Sequence, residues 1–173
     1  MAINNIVSTI AAGESLQIQD AVIDVSSSYL AQASGYFTGA DIRGMHASPI
    51  LMIGPTTGSS IVMLDRAYLV GYASDVSNVF TGGGDVYFQY GNGSAVNALA
   101  SAKMPNATFL SFGEDNYLYQ INGGPSSNSS DLTFYSPFYG TPIYLTNDTA
   151  SFVDGENFIL LVKMWYRIFE ITI

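Results

Sequence analysis

Short runs of β-branched and aromatic residues, interrupted at close intervals by clusters of Gly, Asn, Asp, Ser and Pro, are the feature that most restricts what this chain can form. Branching at Cβ and ring bulk stiffen χ1 in a helix but pack well on a pleated surface, so such runs favour strands. The clearest are Leu16–Val25, Pro49–Ile53, Ser60–Tyr72, Asp85–Tyr90, Thr108–Phe112, Asn116–Ile121, Leu132–Tyr135, Pro142–Thr146 and Asn157–Ile173. Between them stand Gly54-Pro55-Thr56-Thr57-Gly58, Thr81-Gly82-Gly83-Gly84, Gly91-Asn92-Gly93 and Asn122–Ser130, all rich in turn formers. Strands at this spacing predict an all-β fold, an antiparallel β-sandwich that is jelly-roll-like.

The last run admits a contest between periods. Glu156, Lys163, Arg167 and Glu170 share a helical face. Against a helix, ten of the sixteen residues from Phe158 to Ile173 are β-branched or aromatic, and no C-cap follows. As a strand, Phe158, Leu160, Val162, Met164, Tyr166 and Ile168 make one apolar face, while Lys163 and Arg167 alternate with Leu161, Trp165 and Phe169 on the other. The strand reading prevails. By contrast, the alanine-rich Ala95–Lys103 predicts a short helical excursion.

At 173 residues the chain suits one domain with an arm. The first residues are rich in Ala, Ser and Gln, so 1–44 is read as an N-terminal arm or peripheral strands and 45–173 as the sandwich domain.

Charge narrows the partners. Fourteen acidic and five basic residues give −9. Such a chain cannot build the concentrated positive surface that phosphates require, so no nucleic acid is expected, and anionic membranes are disfavoured too. The charge-free stretch Gly44–Leu64 is broken by Pro49 and Pro55 and is not read as a membrane span. The N-terminus shows no basic segment of a secretory signal. Only 11% of residues are charged, against about 25% in a typical soluble domain. A surface this poor in charge and rich in aromatics predicts burial against partners, because interface cores have that composition.

Catalytic chemistry finds little support. His46 is the single histidine, no Gly-x-Ser-x-Gly elbow occurs, and cysteine is absent, so a triad and a conventional zinc site are both unexpected. Gly54-Pro55-Thr56-Thr57-Gly58-Ser59-Ser60 lacks the lysine of a phosphate loop and reads as a turn, as does Gly82-Gly83-Gly84. The carboxylate pairs Glu114-Asp115 and Asp154 with Glu156 lack EF-hand spacing, although Asp154 and Glu156 could offer oxygen ligands to calcium. No enzyme activity, cofactor or metal is expected.

Asp65 and Arg66 interrupt the apolar run Ser60–Tyr72, and charges placed so need partners. They predict a paired site at a sheet edge or subunit contact. Aromatics concentrate between Tyr117 and Tyr144, serving a core and a subunit interface, or alternatively a sugar-stacking surface. The expected interface residues are Asp65, Arg66, Tyr117, Tyr119, Phe138, Tyr139 and Trp165.

Several segments carry a resemblance when taken in order. Ser48-Pro49-Ile50-Leu51-Met52-Ile53-Gly54-Pro55 leads through a Gly-rich turn into the strand ending at Leu64. Gly83-Gly84-Asp85-Val86-Tyr87-Phe88-Gln89-Tyr90-Gly91 follows, then Pro142-Ile143-Tyr144-Leu145, Asp154-Gly155-Glu156 and Trp165-Tyr166-Arg167-Ile168. Over residues 45–173 this series resembles small tailed-phage virion proteins, the jelly-roll cement or decoration proteins of the head. The resemblance implies a homotrimer at a local three-fold position on the head surface, reinforcing contacts between copies of the major capsid protein. A carbohydrate- or receptor-binding module of a tail fibre or spike is the alternative.

Overall fold

The computed structural model describes residues 15–18, 21–24, 31–57, 60–73, 79–92, 99–113, 118–123 and 140–172. In chain order the elements are β1 (Ser15–Ile18), β2 (Ala21–Asp24), β3 (Ala31–Thr38), helix α1 (Gly39–Gly44), β4 (Ile50–Ile53), β5 (Ser60–Ala73), β6 (Phe80–Gly82) and β7 (Val86–Tyr90). They continue with helix α2 (Asn106–Leu110), a 3-10 turn (Ser111–Gly113), β8 (Leu118–Asn122), β9 (Ile143–Asn147), β10 (Phe152–Asp154) and β11 (Phe158–Thr172).

The strands form an antiparallel sandwich. The principal sheet runs β3-β11-β5-β8, and the opposing sheet runs β4-β9-β7. Residues 99–104 extend the opposing sheet, bridging β7 at Gln89↔Leu99 and Val86↔Met104. Successive antiparallel partners (β3 with β11, β4 with β9, β5 with β8) therefore alternate between the two sheets, as when one long hairpin is wound around a barrel. That is the jelly-roll connectivity. A two-stranded sheet, β10-β6, closes one end, and the antiparallel pair β1-β2 joins β11 near its far end, at Glu170–Thr172. The arm thus continues the principal sheet. Residues 31–44, grouped with the arm in the sequence reading, form its edge strand β3 and the helix that follows.

Alternation explains why these residues form these strands. Phe158, Leu160, Val162 and Met164 of β11 are buried, and each faces inward beside an inward residue of β5. The core also holds a cluster of rings: Phe80, Phe109, Phe112, Phe152 and Phe158, with Phe80 and Phe158 centroids 4.7 Å apart and Phe109 and Phe152 4.8 Å apart. Helix α1 starts on a capping box, in which Thr38 Oγ1 accepts from Asp41 N and the Asp41 carboxylate accepts from Thr38 N at 2.8 Å. It lies so close to the turn before β11 that a Cβ at Gly39 would collide with the Gly155 carbonyl, while Gly155 itself holds φ at 74°.

Three sequence expectations fail. Leu16–Val25 is not one strand but supplies most of the antiparallel pair β1-β2. Thr108–Phe112 is not a strand: Pro105 opens α2, and Phe109 and Phe112, one helical turn apart, both enter the core. The Ala95–Lys103 excursion is not helical from Leu99 onward, because β7 offers a free edge there. Ala100 N donates to Phe88 O at 2.8 Å and Met104 N to Val86 O at 2.7 Å. Leu132–Tyr135 lies outside the described residues.

Candidate interaction face on the principal sheet

Side chains alternate across a sheet, so register fixes which residues share the outward surface. On β11 the outward positions are Ile159, Leu161, Lys163, Trp165 and Arg167, and their β5 partners are Tyr72, Val70, Tyr68, Arg66 and Met63. β3 adds Thr38, Tyr36, Ser34 and Gln32 opposite the first four, and β8 adds Leu118, Gln120 and Asn122 opposite Val70, Tyr68 and Arg66. The result is a set of rows. Tyr36–Leu161–Val70–Leu118 is apolar, Ser34–Lys163–Tyr68–Gln120 is mixed, and Gln32–Trp165–Arg66–Asn122 is polar around one large ring.

This face carries most of the exposed large apolar side chains among the described residues. Of the six large apolar side chains exposed among the described residues, four lie on it: Tyr36 (60%), Tyr72 (47%), Leu118 (64%) and Leu161 (46%). Exposed apolar side chains gathered on one face make it the candidate contact surface. A groove of about 570 Å³ runs over it, walled by Tyr36, Tyr68, Val70, Leu161 and Lys163.

Trp165 organises the polar row. The Arg66 guanidinium and the Lys163 ammonium each lie 5.2 Å from its ring centroid, and Tyr68 meets it edge-on at 5.4 Å. Both cations therefore sit in the field of the indole ring. Asp65 is the extra residue of a β-bulge: Trp165 pairs with Arg66 and Tyr166 with Leu64, leaving Asp65 unopposed. Its carboxylate receives Arg66 Nη1 at 3.1 Å, and its carbonyl accepts Gly123 N at 2.8 Å. Asp65 and Arg66 are thus paired, as their place in an apolar run required. They stand not on an edge strand but on β5, which is flanked by β11 and β8.

The other expected site residues divide. Trp165 is on the face. Tyr119 is turned inward, opposite Leu69, and packs against the core. Tyr117, Phe138 and Tyr139 lie outside the described residues. His46 Nδ1 is 3.0 Å from the Asn147 carbonyl, far in sequence but local to the β9 end. Asp154 is engaged structurally: its carboxylate accepts from Thr81 Oγ1 at 2.9 Å and its carbonyl from Arg43 Nη1 at 2.8 Å, while Arg43 also reaches Glu156 at 3.5 Å. Among the described residues no group of three or more His, Asp or Glu is placed to hold a metal ion.

A second polar cluster ties loops at one end of the sandwich. Asp148 accepts from Lys103 Nζ at 2.6 Å, Asp85 N at 2.8 Å and Thr149 Oγ1 at 3.0 Å, and Asp85 accepts from Asn106 N at 2.9 Å. Burial pushes the Asp148 carboxyl up, but these donors outweigh it and hold the group below its ordinary value. The hydrogen bond to Asp148 raises Lys103. Both Asp148 carboxylate oxygens meet protein donors from three separate residues, so the cluster is a buttress between loops.

Compared with protein-family models, curated proteins and solved structures, the chain matches none. The functional reading therefore rests on the face itself. Tyr36, Tyr68, Leu161 and Lys163 were not singled out from sequence. The signal that could have placed Tyr68, Leu161 and Lys163 on the outward side of their own strands is the alternation Arg66-Tyr68-Val70-Tyr72 and Leu161-Lys163-Trp165, which repeats large side chains on one face; Tyr36 carries no such signal.

Proposed function

We propose that this protein is a non-enzymatic structural component of a virion, a cement or decoration protein that oligomerises on the head surface of a tailed phage and stabilises the shell. The observation that carries the reading is the exposed apolar and aromatic face of the principal sheet, on a chain with only 11% charged residues. A surface of that kind is stabilised by burial, at roughly 25 cal/mol per Å² of apolar area removed from water. The jelly-roll framework suits the role, since its paired sheets hold the face rigid and present it without rearrangement. In this reading the partners are further copies of the chain, assembled as a homotrimer, and the major capsid protein beneath them. Three identical feet on one trimer add avidity without tighter individual contacts. The test is to heat purified heads with and without the protein. Rupture at a higher temperature with it supports cementing, and identical rupture temperatures exclude it.

A second reading is a carbohydrate- or receptor-binding module of a tail fibre or spike. It is favoured by the rings of Tyr36, Tyr68 and Trp165 beside Ser34, Lys163 and Gln120, a mixture of stacking planes and hydrogen-bonding groups. Saturable binding of a soluble glycan by the isolated protein, lost in Trp165→Ala and Tyr68→Ala, supports it.

A further inference from the structure

The outward face of the principal sheet carries a charge unlike that of the molecule it belongs to. Three of the chain's five basic residues, Arg66, Lys163 and Arg167, are on it, and Asp65 is its one carboxylate among the described residues. The whole chain stands at −9. Arg66 is neutralised by Asp65, but among the described residues Lys163 has no carboxylate within ion-pair distance and rests only against the Trp165 ring. A copy of the same face laid against this one would bring like charges together in a drying contact, which is unfavourable. The complementary surface must be acidic and apolar.

The same molecule supplies one. Two large apolar side chains among the described residues are exposed away from the face, Leu51 and Val153. Leu51 has uncharged neighbours in the chain and pairs with Tyr144. Val153, 55% exposed, is followed by Asp154 and Glu156 in the turn that leads into β11. The Asp154 carboxylate is held by Thr81 Oγ1, and Glu156, with its side chain 61% exposed, makes a loose ion pair with Arg43 at 3.5 Å, so Glu156 is the carboxylate this turn presents outward.

We infer that these two surfaces are the two halves of one contact between copies, in which the Val153–Glu156 turn of one subunit seats in the groove of the next, with its apolar side chain against Tyr36 and Leu161 and the Glu156 carboxylate toward Lys163. The inference rests on the reading that the chain self-assembles and adds which surfaces meet. The contact is head-to-tail, so it leaves one unused turn and one unused face on any open chain and is completed only by closing a ring. It also weakens as salt screens the charges.

The test uses Lys163→Glu and Val153→Lys, both at exposed positions, with circular dichroism and melting temperature to confirm folding. Lys163→Gln and Val153→Thr replace them if either melts lower. Solution mass is read by light scattering at low and high salt. The expected result is an oligomer for the parent chain, loss of association to the 18.5 kDa monomer in each variant, and renewed association when the two variants are mixed, because the intact turn of one meets the intact face of the other. An oligomer that survives Lys163→Glu overturns the pairing and leaves self-assembly standing. Loss in Lys163→Glu but not in Val153→Lys overturns it in favour of a different partner surface on the copy. A parent chain that is monomeric throughout overturns self-assembly as well.

Discussion

Trp165 of β11 stands directly opposite Arg66 of β5, with the guanidinium carbon 5.2 Å from the indole centroid, next to the one bulge in that strand pair. Bulge and ring act on the same cation: the extra residue, Asp65, brings a carboxylate to 3.1 Å from Arg66 Nη1. Comparing Arg66→Ala, Trp165→Ala and the double variant by urea unfolding isolates this pair. A coupling of about 0.5–1 kcal/mol is expected for a half-exposed cation over an aromatic face, and additive losses exclude it.

The ring cluster between the sheets has Phe109 near its centre, in contact with Phe80, Phe112, Phe152 and Phe158. Truncating a fully buried phenylalanine costs about 3–5 kcal/mol through lost transfer and a residual cavity. Phe109→Ala should lower stability by that amount, and Phe109→Leu by much less. Equal losses would place the cost in helix α2 rather than in the packing.

Tyr90 donates its hydroxyl to the Val62 carbonyl at 2.7 Å, joining the opposing sheet to the principal one. Burial pushes this phenol up to about 12, from an ordinary 10. A raised value in the folded state means that its contribution is intact below pH 10 and is lost as the pH climbs to about 12. Tyr90→Phe should cost about 1 kcal/mol at neutral pH and should unfold less steeply with alkali than the parent. Parallel alkaline curves would remove Tyr90 from that transition.

Asp148 gives the opposite sign. Its folded value is depressed, so its contribution is present above the ordinary 3.8 and disappears as the pH falls through the lower folded value. Asp148→Asn should be less stable than the parent at neutral pH, and the two denaturation midpoints should converge below pH 3.8. Midpoints that stay apart in acid would mean that the asparagine disturbs packing rather than charge.

The sandwich was legible in the sequence because its two longest strands, β5 and β11, are made of residues whose branching and rings permit little else. What was hidden depended on partners. β3, Ala31-Gln32-Ala33-Ser34-Gly35-Tyr36-Phe37-Thr38, contains nothing strongly strand-forming before Tyr36, and it is extended because β11 offers it a full edge of hydrogen bonds. Helix α2 was obscured by Thr108 and Phe109, whose strand preference yields to Pro105 and to a core that accepts Phe109 and Phe112 from one side. Helix α1, by contrast, carried a readable signal in Thr38 and Asp41, the two ends of its capping box.

The outward face of the principal sheet was half legible. Asp65 and Arg66 stood out because charge inside an apolar run is costly unless paired. Lys163 and Trp165 were visibly on the less apolar side of β11. Their union with Tyr36, Tyr68 and Leu118 depends on register between strands far apart in sequence, which alternation within one strand cannot supply.

The place of β11 in the principal sheet sets a timetable. It is the strand between β3 and β5, yet it is the last of the sandwich strands to leave the ribosome. Until residues 158–172 emerge, β3 has no neighbour, β5 lacks half its ladder, and the aromatic rows on both are open to any passing strand. A nascent chain arrested before Phe158 should therefore be protease-sensitive and prone to capture by chaperones. One arrested only after β11 has cleared the exit tunnel should be compact and resistant.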